Sequence, residues 1–153
     1  MADIIVPLNG HVRIRAWEKQ PDGTEKEVYN KTIKNLIVDA GKVSILKYIG
    51  YITGGGYAAQ IGVGDSTAAA GASQTDLQAS TNKYWKSIIA ADRILLTTTL
   101  YLSVDFGYTE GNFTWNELGL RDNNNVMFAR QIDASPFVKT TSKRAIVEWQ
   151  LSL

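Results

Sequence analysis

The sequence contains no cysteine, which excludes disulfide frameworks, thiolate nucleophiles and Cys-based zinc sites. Histidine is nearly absent too. The single copy, His11, lacks the partners that a catalytic triad or a histidine-based metal site requires, and reads as a solvent-facing residue at a strand start. An excess of one charge is also missing: sixteen Lys plus Arg oppose fifteen Asp plus Glu, a formal net charge of +1. Even residues 1–50, with eight basic and six acidic side chains, reach only +2. A nucleic-acid-binding surface concentrates far more positive charge on one face, so no nucleic-acid partner is expected. No stretch approaches the roughly 20 apolar residues needed to cross a bilayer, so no membrane insertion is expected. Met1 to Pro7 has no basic n-region and too short an apolar run for a signal peptide.

What is present is ordinary for a globular chain: 153 residues, 44% apolar and 10% aromatic, most simply one domain over 1–153. Period-two patterning dominates. Val12, Ile14 and Ala16 point one way while His11, Arg13, Arg15 and Trp17 point the other. The turn Gln20-Pro21-Asp22-Gly23 then leads to a return strand over Thr24 to Tyr29. Leu100, Leu102, Val104 and Phe106 alternate with Thr99, Tyr101, Ser103 and Asp105, and at the C-terminus Ala145, Val147, Trp149, Leu151 and Leu153 alternate with Ile146, Glu148, Gln150 and Ser152. Further strands are expected over Tyr57–Val63, Tyr84–Ala90, Phe113–Leu120 and Val126–Ile132. Turns fall at Gly107–Asn112 and at Arg121–Asn125, whose asparagines tolerate left-handed backbone.

One segment departs from this period. Val38, Ile45, Leu46 and Ile49 are spaced for a short helix near residues 39–49, with Asp39 as N-cap and Gly50 as the residue past its end. A second helical turn is expected near Ser73, containing Asp76 and Leu77. Many short strands and one helix indicate a mainly β fold, an antiparallel β-sandwich of jelly-roll or Greek-key type. Residues 1–10 are a candidate extended N-terminal arm.

Few motifs point to chemistry. Gly62-Val63-Gly64 resembles the start of a phosphate loop, but Thr67 stands where a dinucleotide fingerprint needs glycine, and an Ala/Gly/Ser loop follows where a helix should. Those glycines read better as points of close backbone approach. Asp105, Glu110 and Glu117 are the acids to test for a glycosidase pair, which needs two carboxyls roughly 5–9 Å apart. Asn30-Lys31-Thr32 and Asn112-Phe113-Thr114 match the glycosylation sequon without a secretory signal. No cofactor is implied. The candidates for contact with another chain or a sugar ring are Trp17, on the polar face of its strand, and Tyr48, Tyr51 and Tyr57 around Gly54-Gly55-Gly56. The competing reading packs those tyrosines on their own domain. Trp149 reads as core.

Several segments together carry a resemblance. Asn35-Leu36-Ile37-Val38-Asp39-Ala40-Gly41 leads into the helix, and Ile61-Gly62-Val63-Gly64-Asp65-Ser66-Thr67 precedes an Ala/Ser loop ending Thr75-Asp76-Leu77. Asn116-Glu117-Leu118-Gly119-Leu120, Met127-Phe128-Ala129-Arg130 and Val147-Glu148-Trp149-Gln150-Leu151 follow in order. In this order and spacing the chain resembles small virion structural proteins of tailed bacteriophages, of the tail-fibre or baseplate periphery. The resemblance implies a compact β-sandwich on the exterior of a virion, no catalysis, and a symmetric homo-oligomer, a trimer in first expectation. Other virion proteins are the implied partners, and a host surface glycan is a candidate one. Capsid decoration is the alternative location, which an N-terminal arm reaching a neighbouring subunit would favour. A carbohydrate-binding or glycan-hydrolysing sandwich is the more distant alternative.

Overall fold

Along β1 (Asn9–Lys19) Val12, Ile14 and Ala16 are fully buried while the residues between them are not, so one face of the strand is committed to a core. The same alternation holds in β7 (Thr99–Phe106) and β10 (Lys143–Ser152), where Leu102, Val104, Phe106, Ala145, Val147 and Trp149 point inward. The computed structural model describes residues 8–152. Residues 1–7 of the expected arm lie outside the described residues, and Asn9 and Gly10 already belong to β1.

Two antiparallel five-stranded sheets are packed face to face, as expected for a β-sandwich. The first runs β2 (Glu25–Lys34), β1, β10, β7, β6 (Arg93–Leu96). The second runs β3 (Leu36–Ile37), β9 (Met127–Val138), β8 (Thr114–Asp122), β4 (Ala58–Gly64), β5 (Lys83–Ser87). Between them Phe106, Trp115 and Phe137 stack edge to face at 5.1 and 5.2 Å, and Trp149 is fully buried.

Several boundaries differ from expectation. β2 extends to Lys34 and β9 to Val138, beyond the reach of simple alternation. The strand expected over Tyr84–Ala90 ends at Ser87, and a single 3₁₀ turn at Ala90–Asp92 leads into β6, which sequence patterning missed. The helix expected near 39–49 is α1 (Asp39–Ile49). Its N-cap is Val38 rather than Asp39, whose carboxylate instead accepts a hydrogen bond from Lys42 at 3.0 Å. Gly50 is the C-cap with φ −78°, and Tyr51 takes the left-handed conformation at φ 54°.

No helix forms near Ser73. The Ala/Gly/Ser loop lies on the outer face of the second sheet, in a trough made by the outward glycines of β4 and β8. A methyl on Gly62 would meet the Trp85 ring at 2.5 Å, and one on Gly119 would meet Trp85 at 2.8 Å and Leu77 at 2.9 Å. The glycines therefore admit side chains, not a second backbone. A charge cluster holds the loop down. Glu117 and Arg130, both fully buried, pair at 2.7 Å. Glu117 accepts the backbone N–H groups of Gln78 (2.9 Å) and Ala79 (2.7 Å). Arg130 donates to the carbonyls of Ala68 (2.9 Å) and Ala69 (3.2 Å) and to Gln74 Oε1 (2.9 Å).

Candidate interaction face

A helix on a sandwich ordinarily turns its apolar residues inward. α1 does so only in part: Ala40 and Ile45 are half-buried against the core, while the residues it buries fully are the small ones, Gly41 and Ser44, because the helix lies close on β9 and the end of β8. A methyl on Gly41 would collide with the Phe128 backbone. Ser44 donates to the buried Asp122 carboxylate at 2.6 Å and accepts the Gly56 N–H at 3.1 Å. Asp122 also accepts the N–H groups of Asn124 and Val126, each at 2.8 Å, so its two oxygens organise both the β8–β9 turn and the helix seat. With Gly41 and Ser44 inward, Leu46 and Ile49 are left 67% and 76% exposed.

The loop after α1 extends the same face. Tyr51 N–H returns to Tyr48 O at 3.2 Å and Ile52 N–H to Lys47 O at 2.8 Å, folding the chain into a tight coil. Gly55 lies against the Tyr48 backbone without room for a β-carbon. Tyr57 is then fixed by reciprocal bonds with Asn123 at 3.0 and 3.1 Å. Tyr48, Tyr51 and Tyr57 are all exposed, Tyr51 completely and Tyr57 by half. Tyr48 and Tyr51 flank an open concavity of about 610 Å³ reaching Thr53 and Gly55.

Across from the helix stands the β6–β7 hairpin. Leu95 faces Leu100 and Leu96 faces Thr99 across it, and Leu95 is 69% exposed. Arg93 anchors its base: the guanidinium stacks 5.3 Å from the Tyr57 ring and donates to the carbonyls of Ala58 and, at 3.0 Å, Ile88. Between helix and hairpin runs an apolar groove of about 560 Å³, with Ile45, Phe128 and Leu151 among its walls.

Trp17 belongs elsewhere. It is half-buried on the first sheet between the guanidinium groups of Arg15 and Arg144, at 4.7 and 4.6 Å. Arg144 in turn pairs with Glu25 at 2.9 Å and Asp105 at 3.1 Å. The structure thus brings Tyr48, Tyr51 and Tyr57 to one face and leaves Trp17 on a charged one.

The three acids tested for a glycosidase pair are each engaged separately. Asp105 is held by Arg144, Glu117 by Arg130, and Glu110 by Lys86 and the Gly107 N–H. Burial pushes the Glu110 carboxyl up, but those hydrogen bonds outweigh it and hold the group below its ordinary 4.5. Lys139 is buried with its ammonium donating to Gly107 O (2.8 Å) and Asn112 Oδ1 (3.0 Å), and desolvation lowers its pKa. Asp133, buried in β9, receives the Tyr29 hydroxyl at 2.9 Å and pairs with Lys31. Burial, then this carboxylate, pushes the Tyr29 phenol up. Among the described residues no group of three or more His, Cys, Asp or Glu side chains is placed to hold a metal ion, and no helix is long and apolar enough to cross a membrane.

Sequence patterning missed the β6 edge, with Leu95 on this face, and also the Ser44–Asp122 contact that seats the helix. The available signals were the i, i+3 spacing of Gly41 and Ser44 and the uncharged run Ile94-Leu95-Leu96. In comparisons with known proteins, no family model matches the chain, and neither a curated protein nor a solved structure does.

Proposed function

We propose that the chain is a non-enzymatic structural protein of the exterior of a tailed-bacteriophage particle. It works by self-association, with a trimer as the expected assembly, and by docking onto neighbouring virion proteins at the tail-fibre or baseplate periphery. The observation that carries this reading is the uncovered apolar face of α1, its following loop and the β6–β7 hairpin. Monomers rarely leave such a contiguous patch in water, and a larger one marks a surface meant to be covered. The engagement of Glu117, Glu110, Asp105 and Asp133 in holding backbone and basic partners supports a framework role for the acids.

Beside that face, the concavity of Tyr51, Thr53 and Gly55 after the helix favours a further role, contact with a host surface glycan, since tyrosine offers a flat apolar ring with a polar tip. Antibody-gold labelling of purified particles from the source, viewed by electron microscopy, tests the location. Label at the tail end is the expected result. Label over the shell would make the chain a capsid decoration protein, and intact particles without label at an accessible epitope would overturn the virion reading.

A further inference from the structure

We propose that the groove between α1 and the β6–β7 hairpin is where a second copy of this chain docks. The inference rests on the self-association reading above and gives it a surface and a partner.

The sheet edges point to it first. Four strands close the two sheets: β2 and β6 on one, β3 and β5 on the other. An open edge invites pairing with another chain unless it is short or charged. β2 carries Glu25, Lys26, Glu27, Lys31 and Lys34, β5 carries Lys83 and Lys86, and β3 is two residues long. β6, four residues long, presents no charge along its edge. Its single charge, Arg93, is turned back onto the carbonyls of Ala58 and Ile88, and Ile94, Leu95 and Leu96 are exposed.

Area makes the same choice. Leu46, Tyr48, Ile49, Tyr57 and Leu95 line the groove and are each half exposed or more, with Ile94 and Leu96 exposed on the other face of the same edge strand, an apolar surface on the order of the roughly 800 Å² that each partner contributes to an interface of standard size. The shape is both ridge and groove: the exposed β6 edge forms one wall of a concavity of about 560 Å³, so one copy offers what another accepts. A net charge of +1 sets almost no repulsion against bringing copies together. A glycan would need more polar partners than these aliphatic side chains supply.

The test uses Leu46→Glu and Leu95→Glu, each at an exposed position, with Val28→Glu on the charged β2 edge as control. Assembly is followed by light scattering on a sizing column across concentration, and folding by far-ultraviolet circular dichroism. Each of the first two variants is expected to raise the association midpoint about 30-fold or more, as loss of a central apolar anchor does, and Val28→Glu to leave it unchanged. If the unmodified chain assembles and both variants assemble equally well, the interface lies elsewhere and the proposal fails while the self-association reading stands. A strictly monomeric unmodified chain would overturn both. A chain starting at Leu8 that is monomeric with this face intact would hand the groove to residues 1–7 and overturn the proposal. Because the chain has no cysteine, Leu46→Cys and Leu95→Cys chains mixed with a short bis-maleimide give a readout independent of variant stability. Linked Leu46–Leu95 pairs are expected, and their absence while oligomer is present would overturn the assignment.

Discussion

Replacing Glu117 by glutamine removes one negative charge from a fully buried polar site and changes almost nothing in shape. Its carboxylate is fully buried and accepts N–H groups from Gln78, Ala79 and Arg130 at 2.7–2.9 Å. The amide supplies a single acceptor oxygen, so an NH₂ must face either a backbone N–H or the guanidinium. Arg130, equally buried, keeps its charge without a counter-ion. Hydrogen-bond loss alone would amount to about 1–2 kcal/mol, whereas stranding a buried charge costs about 3–5 kcal/mol, so the second effect decides the outcome. Against a typical total of about 5–15 kcal/mol, Glu117→Gln leaves a marginal fold. Urea unfolding followed by tryptophan fluorescence reads this as a fall in midpoint with unchanged slope. Arg130→Met should cost a similar amount. The double variant should cost about 2 kcal/mol less than the sum of the two, since it strands no charge. A cost below about 1 kcal/mol for either single variant, or simple additivity, would refute the assignment of this pair as the anchor of the 65–79 loop.

Other perturbations follow from the same structure. Gly41→Ala gains about 1 kcal/mol of helix propensity but drives a methyl into the Phe128 backbone, for a net loss of about 1–2 kcal/mol, seen as a lower thermal midpoint. Thr97, a β-branched residue held at φ 53° in the β6–β7 turn, should be improved upon by Thr97→Gly, with a gain of about 0.5–1 kcal/mol in the same assay. Glu110 has a folded pKa below 4.5, so the unfolded chain takes up its proton first as the solution is acidified. The stability it contributes is present above 4.5 and is lost as pH falls through the lowered folded value. Glu110→Gln should therefore flatten the acid limb of a stability–pH curve below pH 4.5.

Much of the fold was legible because alternation is a local signal. β1, β7 and β10 each put every second residue into the core, and Trp149 sits where its neighbours Val147 and Leu151 indicated. β6 escaped because its turn is made of Thr97 and Thr98, strand-forming residues that hide a hairpin until a positive φ is seen. The long loop was legible as a loop, but not its fastening. Glu117 and Arg130 lie on the outward face of their strands, where charge normally means solvent, and only the overlying loop dries them. For the same reason the helix was readable in extent but not in orientation: packing space selected Gly41 and Ser44 for burial, against the order that hydrophobicity alone gives. Tyr48, Tyr51 and Tyr57 flank the glycine loop and are exposed, with Gly55 and Gly56 held close to the Tyr48 backbone and to Asp122. Trp17 was drawn instead into a stack of arginines from its own and a neighbouring strand.

The most direct measurement is sedimentation equilibrium of the unmodified chain from about 1 μM to 1 mM at neutral pH, a range that spans association free energies of roughly 4–8 kcal/mol. An apolar face of this size predicts a reversible rise in mass toward a defined oligomer within that range. A single species of 16.8 kDa at every concentration would contradict it.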